Sequence, residues 1–177
     1  KVYHFEYRLG GNGLTIIDTK KEDKKEWEKW ANVAPDSSIV LFSKNYNLYW
    51  MDKDNFMKAV KDEKDSTIVE NQWTKDGEEN YDFGGSTRGE NNEEKEKNKD
   101  NRKGVWGTWS HDSKNFVFER TDSRHIKDLW VINSTADKRP TLETYKYHMP
   151  GEDEYFKSEL LIFDIPSKNI NTVKLDT

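Results

Sequence analysis

The chain offers few residues for metal chemistry. Its four histidines, at positions 4, 111, 125 and 148, are scattered and show no metal-ligand spacing such as His-x-x-x-His. There is no cysteine, which excludes disulfides and thiolate metal sites. His111 stands at a turn position, and His148 is interpreted as a packing or surface residue, with a place in a cavity wall as the alternative. The sequence therefore predicts no metal site and no cofactor.

Two aspartates could serve as catalytic carboxylates, but both recur at the same place in a repeated phrase. Asp36 precedes the apolar run at residues 39–42, and Asp112 precedes the run at residues 116–118. An aspartate in a turn can accept hydrogen bonds from the backbone two residues further on. The recurrence therefore favours turn-stabilising roles. The same interpretation applies to four residues that end apolar runs, Asp18, Asp52, Asn133 and Asp164.

Tryptophan is frequent and could serve binding. Trp30, Trp50, Trp106 and Trp109 could form a platform that stacks on a sugar ring. Rings at alternating positions of a strand more often fill the core between two sheets. The composition favours this second role, because 13% aromatic residues must support a core in a chain that is 36% charged and only 32% hydrophobic. We therefore expect these rings to lie between sheets.

Charge and hydropathy argue against nucleic-acid binding and against a membrane-spanning helix. The net charge is -5, and no basic stripe with interleaved aromatic residues is present, whereas nucleic-acid-binding proteins carry basic faces. No apolar run approaches the ~18 residues of a membrane-spanning helix. The sequence therefore predicts neither nucleic-acid binding nor a membrane span.

The elements that hold these residues follow a repeated pattern. Four apolar runs begin with leucine and end with aspartate or asparagine, at residues 14–18, 48–52, 129–133 and 160–164. Self-similarity over tens of residues is typical of repeat folds, in which no unit buries its apolar face alone. Such an array is usually a scaffold or a binding surface, so a catalytic role would need separate evidence.

Period-two alternation and tight turns predict β-strands for these runs. Residues 2–7 and 14–18 form a hairpin around a glycine-rich turn. A charged connector with one helical turn around Trp27 follows. Residues 30–80 then contain four short strands joined by turns, and one short helix at residues 54–60. That succession is typical of one blade of a β-propeller.

Residues 81–103 interrupt the pattern. Residues 90–100 contain no apolar side chain, which indicates a solvated, mobile insertion between two units. The alternative is a short charged helix that faces a binding cavity.

A second unit begins near residue 104. Aligning Leu48 with Leu129 makes residues 129–133 the third strand of this unit. An extended segment follows and ends at the turn Pro150-Gly151, after which residues 158–164 begin another blade.

The predicted fold class is all-β, a partial propeller of about three blades, each with four antiparallel strands. Residues 1–29 end one blade, 30–80 form a blade, 81–103 are the charged insertion, and 104–177 form a blade with a long insertion and the start of the next.

Three segments carry a resemblance to a known family. Trp109-Ser110-His111-Asp112-Ser113-Lys114 resembles a blade opening, and residues 127–134 and 139–152 complete the series. The series resembles the N-terminal propeller of dipeptidyl peptidase IV-like serine peptidases of the prolyl oligopeptidase family, bacterial type. The resemblance implies an eight-bladed propeller that restricts access of a peptide substrate to a C-terminal α/β-hydrolase domain with a Ser, Asp and His triad.

This chain has no Gly-x-Ser-x-Gly elbow to present a nucleophile, so we expect no catalytic residue in it. The resemblance implies a non-catalytic part of a serine peptidase, in the periplasm or outside the cell, with a homodimer as a further expectation. Relatives place two carboxylates ahead of the blade opening to hold the substrate amine, a task that suits charged acceptors. Glu93 and Glu94 occupy the corresponding stretch here, without the Asp-Trp-x-Tyr that precedes the pair in those relatives.

A different class of function remains as the alternative. A free-standing β-repeat module could use the aromatic residues to bind a peptide or a glycan. The two hypotheses differ in the length of the native reading frame, since a peptidase requires several hundred further residues that include the nucleophile elbow.

Overall fold

Apolar runs bounded by turns fold into antiparallel strands throughout the chain. The computed structural model describes residues 4–7, 14–17, 26–84, 90–136 and 139–173. The strands are β1 (His4–Tyr7), β2 (Leu14–Ile17), β3 (Asn32–Val33), β4 (Ile39–Lys44), β5 (Asn47–Asp52), β6 (Asn71–Gln72), β7 (Gly107–Trp109), β8 (Asn115–Asp122), β9 (Asp128–Asn133), β10 (Thr141–Lys146), β11 (Lys157–Asp164) and β12 (Asn169–Val173). The helices are α1 (Glu26–Trp30), α2 (Lys53–Lys61) and α3 (Asn92–Asn98).

The first sheet has the strand order β3-β4-β5-β6, with all neighbours antiparallel. Strands β4 and β5 are joined by the two-residue turn Asn45–Tyr46, in which both residues have positive φ, 46° and 66°. Two central residues with positive φ match the right-handed twist of the flanking strands. Gly77 packs against this turn so closely that a Cβ there would lie 2.1 Å from the Tyr46 carbonyl oxygen.

The second sheet has the order β12-β11-β8-β7. Strand β8 pairs with β11 over eight residues, with Phe118 opposite Leu161 and Phe116 opposite Phe163. The strands β9 and β10 form a separate two-stranded hairpin between them in the chain. The four-stranded, up-and-down order of both sheets is that of propeller blades, so the predicted all-β fold, a partial propeller, is confirmed.

One predicted strand alignment is wrong. Residues 129–133 do not form the third strand of the second sheet, because β11 pairs with β8 at that place and β12 completes the sheet. Burial explains the error: Phe163 of β11 is 0% exposed, whereas Trp130 of β9 is 71% exposed. Both runs begin with leucine and end with aspartate or asparagine, and this pattern alone does not separate a core strand from an exposed hairpin.

Smaller predictions have clear outcomes. The hairpin at residues 2–7 and 14–18 is confirmed over its described part, with Glu6 opposite Thr15. The short helix at residues 54–60 corresponds to α2, which Asp52 caps by accepting a hydrogen bond from the Asn55 N–H at 2.8 Å. Residue 18 lies outside the described residues. The boundaries of the four predicted units stay a prediction.

The main core lies between the two sheets. Aromatic rings dominate it, and Phe163 contacts Trp73, Phe83, Phe116 and Phe118 with centroid distances from 5.5 to 6.5 Å. The aliphatic members of this core are Leu41, Leu48, Val105 and Leu161. Large rings bury enough area per residue to support such a core in a polar chain.

The other face of the first sheet is also covered. Helices α1 and α2 pack on it, and the residues that they share with the sheet are Trp30, Val40, Phe42, Met51 and Ala59. The predicted place between sheets is confirmed for Trp50 and Trp109, which pack against the main core. Trp30 is a core residue but lies between the first sheet and the helices. The prediction is wrong for Trp106, which is 75% exposed.

The recurring aspartates stabilise turns, as predicted. Asp36 Oδ1 accepts hydrogen bonds from the Ser38 N–H at 3.0 Å and its hydroxyl at 2.7 Å. Asp112 Oδ1 accepts from the Ser110 hydroxyl at 2.7 Å and the Lys114 N–H at 3.2 Å. These hydrogen bonds hold the pKa of both carboxyls below the ordinary value, because they favour the charged form.

The described helices include none that is both long enough and apolar enough to cross a membrane.

Candidate functional site

The charged insertion is anchored to the protein over residues 90–103. Within it, α3 begins with a capping box, in which the Asn91 side chain accepts from the Glu94 N–H at 2.8 Å and Glu94 accepts from the Asn91 N–H at 3.0 Å. Reciprocal bonds of this kind satisfy two backbone donors at a helix start. Residues 92–98 of the insertion therefore form the short charged helix of the alternative prediction. The predicted solvation also applies to this helix, because α3 has no buried residue.

Backbone hydrogen bonds join the end of this insertion to the first sheet. The Ser43 N–H donates to the Lys103 carbonyl and the Lys103 N–H donates to the Ser43 carbonyl, both at 2.8 Å. The Asn45 N–H donates to the Lys99 carbonyl at 2.7 Å. Because β3 is only two residues long, the end of β4 would otherwise lack a neighbour on that side. The insertion supplies it.

The same helix contacts the hairpin β9–β10. Glu143, 4% exposed, accepts a hydrogen bond from the Asn92 N–H at 3.0 Å. The Asn92 amide donates to the Leu142 carbonyl at 3.3 Å, and the Lys95 ammonium lies 5.4 Å from the centroid of the Tyr145 ring. Helix α3 thus bridges the β4–β5 turn and the hairpin.

A cleft of about 80 Å³, which we call the α3 cleft, lies where these segments meet. Polar side chains from three stretches of the sequence line it: Asn45 and Tyr46; Glu79, Asn80 and Asp82; Lys95, Lys99 and Lys103. A concave site with a few converging polar groups is the usual form of a small-molecule site. The cleft is therefore the candidate functional site.

Several charges in the α3 cleft are already compensated. Lys99 pairs with Glu96, and Lys103 Nζ lies 3.3 Å from a Glu90 carboxylate oxygen. Asp82 accepts a hydrogen bond from the Gly84 N–H at 3.0 Å. Burial nevertheless raises the pKa of Asp82, because desolvation penalises its charged form.

Tyr46 is the unusual residue of the cleft. Its φ of 66° lies in the left-handed region, which a bulky side chain seldom adopts. Burial, with the charges of Glu79 and Glu96, raises the pKa of Tyr46. The phenol is therefore a hydrogen-bond donor at neutral pH. Backbone strain of this kind requires a surrounding structure that fixes it, and the Phe83 N–H provides one bond by donating to the Tyr46 carbonyl at 3.0 Å.

The predicted amine-binding residues lie beside the cleft and not in its wall. Glu93 and Glu94 are exposed in the first turn of α3, and Glu94 takes part in the capping box. Glu79 and Asp82 are the carboxylates that line the cleft. No local motif marks them, because they meet Lys95 only through the folding of the insertion. The amine-binding role of Glu93 and Glu94 stays a prediction.

Among the residues that the structure describes, no histidine lines the α3 cleft. His148 is exposed, and its Nε2 lies 2.8 Å from the Glu152 carbonyl oxygen. Among the described residues, no group of three or more His, Asp or Glu side chains could hold a metal ion.

A second, more open cleft of about 450 Å³ lies beside Trp30 and Arg102. Its central polar groups bond to one another: Glu70 accepts from Arg102 Nε at 2.7 Å and from Lys44 Nζ at 2.9 Å. Burial alone would raise the pKa of Glu70, but these two partners hold it below the ordinary value. The Arg102 guanidinium also lies 5.1 Å from the centroid of the Trp30 ring. This cluster is structural.

A cationic cluster ties the two sheets together near Tyr81. The guanidinium carbons of Arg120 and Arg124 lie 3.8 and 3.9 Å from the centroid of its ring. Arg120, 6% exposed, also pairs with Asp76 and Glu159, each at 2.8 Å. The cluster joins the segment that follows the first sheet to strands β8 and β11.

Comparisons with known proteins agree with this architecture. The family model described as dipeptidyl peptidase IV (DPP IV) N-terminal region matches residues 11–177. Among curated proteins, none matches the chain. The crystal structure of Porphyromonas gingivalis dipeptidyl peptidase 4 is similar with a TM-score of 0.56 and 20% sequence identity, over 96% of this chain and 20% of that chain. At that identity the likeness shows the fold, and this chain spans a fifth of the length of that protein.

Proposed function

Because the chain belongs to the dipeptidyl peptidase IV N-terminal region family, we propose that it is the non-catalytic propeller portion of a DPP IV-like serine exopeptidase. The match to the family over residues 11–177 carries the proposal. In this role the chain restricts the access of peptide substrates to a C-terminal α/β-hydrolase domain. Glu93 and Glu94 would hold the substrate amine, and the protein would act in the periplasm or outside the cell.

The second sheet supports the proposal through its outer face. Phe116 and Phe118 point into the main core, so Val117 between them points to the opposite side. Ile162 pairs with Val117, and Leu160 lies two residues before it on the same face. Glu119 pairs with Leu160 on this face, so the face carries an apolar patch around Val117, Leu160 and Ile162 and is not apolar throughout. In a propeller the next blade covers such a patch.

Hydrolysis assays test the absence of catalysis. We expect the 177-residue protein to release no product from dipeptide amides, because it has no nucleophile elbow. Product release is measured in the pure protein, and a sample to which a serine peptidase has been added controls for the sensitivity of the assay. Turnover that copurifies with the chain and stops on treatment with a serine-directed inhibitor would contradict the proposal.

We propose further that the hairpin β9–β10 mediates a homodimer. Ile132 and Leu142 face each other across the hairpin, and Trp130 lies on the same face. Their exposed fractions are 70%, 58% and 71%. At one end of that face, Asp128 and Lys146 form an ion pair of 3.0 Å, so no net charge opposes a second copy. Two copies can cover both apolar faces through an isologous contact.

Sedimentation measurements test the dimer. Since exposed aromatic anchors contribute most of the energy of an interface, Trp130→Ser with Ile132→Ser should raise the dimer dissociation constant by about ten-fold or more. Trp106→Ser removes an equally exposed tryptophan outside the hairpin and is the matched control. A wild-type protein that stays monomeric, or equal effects of both changes, would refute this contact.

A further inference from the structure

Several polar side chains of the α3 cleft form no hydrogen bond with the described part of the chain. Asn45, Asn80, Tyr46 and Lys95 all line it, and the polar groups of these four side chains have no hydrogen-bond partner among the described residues. The Lys95 ammonium has one described contact, the Tyr145 ring at 5.4 Å. On the acceptor side, the Glu79 carboxylate likewise lines the cleft without a hydrogen bond or an ion pair to a described residue. Within the described residues, donors and a carboxylate without hydrogen-bond partners therefore line one small cavity.

Among the charged residues that line the cleft, Lys95 and Glu79 are the two of opposite sign whose side chains form neither an ion pair nor a hydrogen bond with a described residue. Lys99 and Lys103 are paired with Glu96 and Glu90, outside the lining of the cleft. The Asp82 carboxylate already accepts a hydrogen bond from the Gly84 N–H. Its burial raises its pKa, because desolvation disfavours its charged form. A lone anion would meet Lys95 but be repelled by Glu79, and a lone cation would have the converse problem. A ligand with both charges satisfies both groups.

The walls of the cleft are held in place by backbone bonds. The Asn45 N–H donates to the Lys99 carbonyl, and the Phe83 N–H donates to the Tyr46 carbonyl. These bonds connect all three stretches that line the cleft. Donors on such a frame lose little freedom when a ligand binds, which is the advantage of a preorganised site.

We propose that the α3 cleft binds a small zwitterion of the α-amino-acid class. Its carboxylate is held by Lys95 with the amides of Asn45 and Asn80, and its ammonium by Glu79. A volume of about 80 Å³ suits an amino acid with a small side chain, such as glycine or alanine. The proposal concerns residues other than Glu93 and Glu94 and stands independently of the peptidase role.

Titration calorimetry on the 177-residue protein tests the proposal with L-alanine and with its two halves, acetate and methylammonium. We expect saturable binding of alanine, and binding at least about ten-fold weaker for each half, because charge-assisted hydrogen bonds at both ends are then not made together. Lys95→Met and Glu79→Gln should each weaken alanine binding by about ten-fold or more. Lys97→Met on the same helix and Glu119→Gln on β8 change exposed residues outside the cleft and should leave binding unchanged.

Three results would overturn the proposal. They are no saturable heat up to about 100 mM alanine, equal affinity for acetate or methylammonium alone, or equal losses in the two control variants. The comparison of alanine with its halves uses the wild-type protein, so it decides the matter even where a variant fails to fold. A negative result leaves the hydrolysis assay, and with it the proposed function, untouched.

Discussion

Replacement of Phe163 by alanine is expected to lower the free energy of unfolding by about 3–5 kcal/mol, the range for a large ring removed from a core. The ring is 0% exposed and lies among four other aromatic rings, two from β8 and two from the segment after β6. Rings that pack edge to face around a central member have little freedom to collapse into the space it leaves. Urea unfolding followed by tryptophan fluorescence measures the loss.

The control for this prediction is a second apolar residue of the same sheet. Ile170 on β12 is 38% exposed, and Ile170→Ala should cost less than about 1 kcal/mol, since more than a third of its surface is already in contact with water and the site is not enclosed. Equal losses for the two variants would show that the sheets do not depend on one shared core.

Replacement of Arg120 by methionine should lower the free energy of unfolding by about 2–4 kcal/mol. The change keeps an unbranched side chain of similar aliphatic bulk but removes the guanidinium and its charge, which leaves Glu159 and Asp76 without their partner. Removal of one member of a buried ion pair costs more than the pair contributes. The lower end of the range reflects the partial exposure of both carboxylates, which water can reach.

Arg124 supplies the matched control, because it stacks on the same Tyr81 ring. Its side chain is 43% exposed, so Arg124→Met should cost less than about 1 kcal/mol, as for surface ion pairs. Unfolding curves of the two variants at the same pH and salt concentration decide the matter. If the loss for Arg124→Met equals that for Arg120→Met, burial is not the cause.

The blades could be predicted from the sequence because their turns and strands are local patterns. Asp36 and Asp112 stand two residues from the groups they bond, so the repeated phrase contains the whole interaction. The register of the second sheet could not be predicted in this way. Its central strands are far apart in the chain, and residues 129–133 imitate the pattern of residues 160–164. Only burial distinguishes them.

The α3 cleft could not be predicted for a related reason. Its members come from the β4–β5 turn, from residues 79–84 and from α3, and no spacing rule connects Asn45 with Lys95. Helix α3 has no apolar residue, so its hydropathy indicates a segment surrounded by solvent and gives no sign of contact with the rest of the protein. Its attachment depends on backbone bonds such as that between Asn45 and Lys99, which side-chain patterns do not reveal. The positive φ of Tyr46 is likewise set by the fold, since tyrosine does not favour it.

The hairpin β9–β10, which lies between β8 and β11 in the sequence, affects the entropy of loop closure during folding. Residues 123–156 separate the two longest paired strands, and closure of a long loop costs entropy that grows with the logarithm of its length. Because β9 and β10 pair with each other over a short sequence distance, their hairpin can form first, and it shortens the effective loop between β8 and β11. Each halving of the effective loop lowers the closure cost by about 0.6 kcal/mol. The hairpin that separates β8 from β11 in the sequence thus lowers the entropic cost of pairing these two strands.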